Sequence, residues 1–434
     1  MNFIAEVRIF AFIMIRWLII ITVGFHLFVF SREAMASTPM SWMDCVAEAK
    51  DNNPDLISAA ENIDQQKASR RIVVSNILPQ ISGNANAVKS KNESLSSVEN
   101  YQYGVTGSQL VFDGLQTVHD IKGATEDIRA AREGYRFTSS EVRFNLKSAY
   151  VNLLEAQEMI KVIGDIIKIR RENLRLITLR YKSGLEHKGA MMKAEANLAS
   201  AEFDMEQTKR QLETAQWQLT KAMGRREFSS ISVKGDFLVR EETKKKPDFE
   251  QLIASNPSLL EAKARTSSSS YGVKSAYGAF SPQISAVAGA DRASNSWPPA
   301  ETQLTAGLQL SVPIFEGAVQ FAEVSRAKAA YKRAAENERS TKDNVLVGLQ
   351  ESWAALKDAI EFVGVQRDLL VATEERSKIA NAQYSTGFTT FDNWIIIEDD
   401  LVRVKRAYLA AKADALLAEA RWVLAKGEVL EYAQ

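Results

Sequence analysis

Apolar positions along the chain change their spacing in a fixed order, and that order occurs twice. After Gly114 and again after Gly317 they recur at helical spacing, with no proline before Gly184 or Gly387, although Gly123, Gly164 and Gly348 lie inside the pattern. Proline breaks helix interiors, and none occurs between Pro79 and Pro247 or after Pro313. Residues 116–182 alone make a helix of roughly 100 Å at ~1.5 Å per residue, longer than a globular core requires. A second helix over 185–223 is predicted to return antiparallel to it. Asn53 and Asn256 each precede a proline, which pairs a good N-cap with the residue best suited to the first helical position. Further helices therefore start at Pro54 and Pro257 and run towards Pro79 and Pro282. Two shorter helices placed end to end would match one long helix in length.

Between the helices the period falls from 3.6 to 2. Residues 303–312 and 101–106 alternate polar and apolar, and 80–87 and 283–286 do so with smaller side chains. Strands are predicted at about 79–88, 101–112, 282–291 and 303–314. Ten residues of such alternation fit a strand with one face on lipid and the other on a wet lumen, and equally a half-buried strand of a soluble sheet. Tyr101, Tyr103 and Trp297 near the strand ends favour the membrane reading, because aromatic residues gather at membrane interfaces. The polar connections 89–100 and 291–302 would then be external loops. Four strands cannot close a barrel, and an open edge cannot stand in a bilayer. Several chains must therefore share one barrel, and three would supply twelve strands.

The repetition has a single offset of 203 residues. It carries Asn53-Pro54 onto Asn256-Pro257, Pro79-Gln80-Ile81-Ser82 onto Pro282-Gln283-Ile284-Ser285, Phe112-Asp113-Gly114 onto Phe315-Glu316-Gly317, Tyr181 and Gly184 onto Tyr384 and Gly387, and Gly224 onto Gly427. Marks in constant register over this length indicate a tandem duplication. The organisation read from it is a leader over 1–36, a first repeat over 37–228, a solvated linker over 229–247 ending in Lys244-Lys245-Lys246-Pro247, and a second repeat over 248–434.

The leader has an apolar run over 17–30 behind Arg8 and Arg16, followed by Ala34-Met35-Ala36. This is the signature of a signal peptide cut before Ser37, the alternative being an uncleaved membrane anchor over 10–30, which Arg16 interrupts. Composition removes most chemistry. Basic and acidic residues balance at 54 each, so no electrostatic footprint for nucleic acid is visible. Three histidines and the single Cys45 supply neither a zinc cluster nor a disulfide. Cys45 reads as a small core residue on the apolar side of a short helix. Gly184-Leu185-Glu186-His187-Lys188-Gly189-Ala190 has the glycines of a phosphate loop but lacks the following Lys-Ser/Thr and sits between helices. Glu398, Asp399 and Asp400 lie among ordinary helical surface charge. No catalytic, metal or cofactor site is expected.

These motifs, with Asn53-Pro54-Asp55-Leu56, Asn256-Pro257-Ser258-Leu259, Arg180-Tyr181-Lys182-Ser183-Gly184 and Val312-Pro313-Ile314-Phe315-Glu316-Gly317, resemble those of the TolC-like outer-membrane efflux protein family over essentially the whole mature chain. The resemblance implies an α+β, mostly helical fold: a long antiparallel α-helical barrel plus a transmembrane β-barrel shared by a homotrimer, four strands per chain. It implies an exit duct in the outer membrane for a tripartite efflux or type I secretion system, partnered by a periplasmic adaptor (membrane fusion protein) and an inner-membrane pump. By the same resemblance the helix turns are periplasmic tips, with Gly184, Leu185, Glu186, Gly387, Phe388 and Thr389 as adaptor-docking residues. Family members place acidic rings nine and twelve residues after the second tip tyrosine, where this chain has Asn393 and Ile396. Asp392 and Asn393 are therefore the candidates for a gate constriction, displaced or absent. The alternative is a soluble periplasmic coiled-coil adaptor or structural protein with a small sheet.

Overall fold

The computed structural model describes residues 39–90, 98–237 and 246–432. The leader expected over 1–36 lies outside them, as do parts of the 89–100 connection and of the linker. In chain order the elements are α1 (Trp42–Asn52), α2 (Pro54–Ser75), β1 (Gln80–Ser90), β2 (Val98–Phe112), α3 (Gln116–Lys182), α4 (Lys188–Ala222), α5 (Phe249–Ala254), α6 (Pro257–Gly278), β3 (Gln283–Ser294), β4 (Glu301–Ser311), α7 (Val319–Thr386) and α8 (Phe391–Ala425), with a closing 3-10 turn (Leu430–Tyr432).

The long helices α3 and α7 have 67 and 68 residues, about 100 Å each at ~1.5 Å per residue. Beside each, a 35-residue and a 22-residue helix meet end to end. One side chain makes each joint. Asn53 Oδ1 accepts from the backbone N–H groups of Asp55 and Leu56 at the start of α2, while its Nδ2 donates to the Ala222 carbonyl at the end of α4 at 3.0 Å. Asn256 does the same between α6 and α8, with its Nδ2 3.1 Å from the Ala425 carbonyl. Each asparagine thus satisfies orphan groups of two helix ends at once. The incoming backbones are so close that a Cβ on Gly224 would lie 2.2 Å from the Asn52 carbonyl oxygen, and one on Gly427 2.4 Å from Pro257 Cδ. Both glycines have positive φ.

The strands form one antiparallel sheet in the order β1-β2-β3-β4. Its ends depart from the sequence expectation: β1 and β3 run further, β2 and β4 start earlier, and β4 stops at Ser311 rather than 314. Pro313 has no N–H to continue a ladder. Tyr101 and Tyr103 lie beside Trp297, with ring centroids 5.9 and 6.3 Å away. At the opposite end of the sheet, β2 and β4 enter α3 and α7 through the same tight turn. Gly114-Leu115 and Gly317-Ala318 are consecutive left-handed residues, closed by Gln116 N–H to Asp113 O and Val319 N–H to Glu316 O, each 3.3 Å, the geometry of a type I′ turn.

The linker expectation holds only in part. Within 229–237, Ile231 and Val233 are buried with Cys45, Leu146 and Leu219, while Ser230, Lys234, Gly235 and Asp236 are exposed. Val233 exchanges hydrogen bonds of 2.9 Å with the Gln157 amide. Met40 forms a parallel bridge with Val233. Cys45 is fully buried, and burial pushes its thiol up to about 12.

Layer order follows from which helices touch. On the strand side of the joints it runs α2-α3-α6-α7, and on the far side α4-α3-α8-α7. Each chain is therefore an open slab whose margins are β1 with α2 and α4 on one side, and β4 with α7 on the other. Every residue of β1 and β4 is exposed. So are Phe321, Val347, Phe362, Val365 and Val371 of α7, and Ile72, Met192, Phe203 and Trp217 of α2 and α4.

Candidate functional site

At the end remote from the sheet, two helix turns lie side by side. In the first, Gly184 takes a left-handed φ of 73°, and Leu185 N–H returns to the Arg180 carbonyl at 2.9 Å. In the second, Gly387 has φ 82°, and Phe388 N–H returns to the Gln383 carbonyl at 2.8 Å. Both are Schellman-type ends, which need a left-handed residue after the helix. The next helices are capped by His187 Nδ1, which accepts from Ala190 N–H at 3.1 Å, and by Thr390 Oγ1, which accepts from Asn393 N–H at 3.4 Å.

The residues singled out from sequence separate into two sets. Leu185 and Phe388 project at 66% and 86% exposure, and Gly184 and Gly387 have open space where a Cβ would sit. Glu186 turns inward instead, its Oε2 accepting from Tyr384 O–H at 2.8 Å. Thr389 Oγ1 accepts from the Asn393 side chain at 2.9 Å, so that amide folds back along its own helix. Asp392 is exposed. Among the acids that follow, Glu398 is 1% exposed and holds Ser377 and Asn381, Asp399 pairs with Arg170, and Asp400 pairs with Arg403. Asp392 alone of the four has no ion pair or hydrogen bond among the described residues.

The sequence reading missed the cluster that ties the two turns together. Tyr384 is fully buried and stacks on Trp394, with ring centroids 4.4 Å apart and planes 5° from parallel. The Arg180 guanidinium lies 4.7 Å from the centroid of the Tyr384 ring and donates to the Tyr384 carbonyl at 3.1 Å. Trp394 Nε1 donates to Asn381 at 2.7 Å. Burial, and then the bond to Glu186, push the Tyr384 hydroxyl well above the ordinary tyrosine range. The repeat marks Tyr181 and Tyr384 as equivalents, yet Tyr181 is 37% exposed. The only sequence signal for the difference was Trp394 ten residues after Tyr384.

A four-stranded slab with unpaired edges, an aromatic group at one end and a 100 Å helical wall at the other defines a channel subunit. The chain belongs to the outer membrane efflux protein family, whose model matches residues 45–225 and 249–428. Those segments lie within residues 37–228 and 248–434. No curated protein matches in sequence. Among solved structures, the transmembrane channel CusC matches with a TM-score of 0.81 and 16% identity over 90% of this chain and 95% of its own. The Campylobacter jejuni outer membrane channel CmeC matches at 0.80 and 17%, over 93% and 92%. The open state of the Neisseria gonorrhoeae outer membrane channel MtrE matches at 0.78 and 17%, over 88% of each chain. The fold is thus a long helical barrel joined to a shared β-barrel, and the protein is an outer-membrane exit duct of efflux systems, with a periplasmic helical portion. The family is one of channels, and the adaptor-like alternative falls away.

Proposed function

We propose that three copies close the slab into a duct that conducts substrates passively, docking through its paired tips onto a periplasmic adaptor served by an inner-membrane pump. The observation that carries this reading is the matched margins: β1 and β4 leave their ladders open, and apolar residues of α7 face outwards on the side opposite those of α2 and α4. Closing the ring satisfies both, since membrane strands tolerate no free edge. Leu185 and Phe388 are the docking anchors, apolar side chains held out on rigid turns. Glu186 acts indirectly, by fixing Tyr384. Asp392 is the acid available to a constriction.

The test is export by cells carrying Leu185→Asp or Phe388→Asp. Export is expected to be abolished while trimers persist in the outer membrane. Normal export would remove both residues from the docking surface.

A further inference from the structure

Strand register divides the sheet into two unlike faces. Pairing sets Ile81, Val105, Ala290, Leu304, Leu308 and Leu310 on one of them, where Leu304 and Leu308 are 78% and 77% exposed. The alternate residues, among them Asn84, Asn86, Thr106, Thr305 and Gln309, make the other. Only the first face suits lipid, so the second lines the lumen of a closed barrel. Among the described strand residues, the charged side chains on that polar face are Asp291 of β3 and Glu301 of β4, both acidic. The basic residues of the strands lie on the lipid face: Lys89 pairs with Glu99, and Arg292 donates to Thr302 Oγ1 at 3.1 Å.

Asp291 stands between Gly104 of β2 and Gln303 of β4. Its carboxylate lies over the glycine, since a Cβ on Gly104 would be 1.9 Å from Oδ1. Glu301 is its diagonal neighbour, roughly 7–8 Å away across the ladder. Neither acid has an ion pair or hydrogen bond among the described residues. The 203-residue offset carries Asp291 onto Val88 and Glu301 onto Val98, so the strands accept an apolar side chain at both places and the fold does not call for the charge. A lining of Asn, Gln, Ser, Thr and Gly wets a pore without distinguishing one ion from another. Unpaired carboxylates on a low-dielectric wall do distinguish them, because the wall focuses their field into the lumen and rings of acids favour cations. We propose that Asp291, supported by Glu301, sets the ionic preference of the duct at the end of the sheet remote from the helices, favouring cations and positively charged cargo over anions. The inference rests on the three-copy duct proposed above, in which each chain adds its pair of acids to one ring.

Planar-bilayer recordings of the full-length, detergent-purified protein test it. In ~0.01 M KCl, where charge is felt over ~30 Å, the K+ to Cl− permeability ratio should fall about threefold in Asp291→Asn, and further when Glu301→Gln is added. Asp291→Cys separates the charge from the fold. Cys45 is fully buried, so a thiol reagent applied from the sheet side finds only the introduced thiol. An anionic sulfonate reagent should restore the wild-type ratio, and a cationic trimethylammonium reagent should drive it below that of Asp291→Asn. A conducting trimer with one ratio in wild type and Asp291→Asn, or one ratio after both reagents, overturns this assignment and leaves the duct standing. A wild type that forms no SDS-resistant trimer and conducts no current overturns the duct, and this assignment with it.

Discussion

Leu115 and Ala318 have φ near +65° at the point where strand becomes helix, a conformation that costs an L-residue ~1–2 kcal/mol. Glycine enters it freely. Leu115→Gly and Ala318→Gly should therefore each raise the thermal midpoint of the solubilised protein, by up to about 1 kcal/mol of stability in a site where this relief exceeds the entropy glycine adds to the unfolded chain. A fall would mean that the side chain, half exposed at Leu115, makes contacts worth more than the strain. At the tips, Asp392→Lys reverses the one free acid after the turn, and planar-bilayer recordings should show altered cation block of the channel. Identical block in both proteins would place Asp392 outside the lumen. Neither the left-handed residues nor the Tyr384 cluster was legible beforehand. Phe112-Asp113-Gly114 and its repeat announced a turn, but nothing in Leu or Ala announces positive φ. Tyr384 differs from Tyr181 only through partners brought by another helix.

At the scale of elements, helices were the most readable part because their punctuation is chemical: Asn-Pro opens them, a left-handed glycine closes them, and the absence of proline between is explicit in the sequence. Strand ends were less so, since Ser, Asn and Glu at the ladder's margin suit strand and loop alike. The burial of Ile231 and Val233 was not legible because they alternate over too few residues to stand out from the charged segment that follows. The joints give a sharp test. Aspartate is as good an N-cap as asparagine, so if Asn53 served only α2, Asn53→Asp would be neutral. It also donates to the last carbonyl of α4, where the helix end is negative. Asn53→Asp, and likewise Asn256→Asp, should lose ~1–3 kcal/mol in denaturant unfolding, whereas an unchanged midpoint would reduce the joint to simple capping.

For the whole molecule, the duplication predicts a contact that no single chain contains. Within the chain, β2 and β3 pair so that Thr106 lies opposite Gly289. Carrying that register across the 203-residue offset places Gln309 of β4 opposite Asn86 of β1 in the next copy. A protein bearing both Asn86→Cys and Gln309→Cys should form intermolecular disulfides, visible on boiled gels as dimers and trimers that collapse to monomer on reduction. Each single variant should not. Failure to cross-link, with the trimer intact, would show that the outer seam has a different register from the inner one.

The asparagine joints also have a mechanical meaning. In each repeat one stave of the wall is unbroken from tip to sheet, and its neighbour is cut at mid-height, where an asparagine amide bridges the two pieces. A continuous helix carries torque along its ladder of backbone bonds, whereas a butt joint resists compression but transmits little rotation. Turning at the tips therefore reaches the sheet through the unbroken staves α3 and α7, while the cut staves give way at their joints.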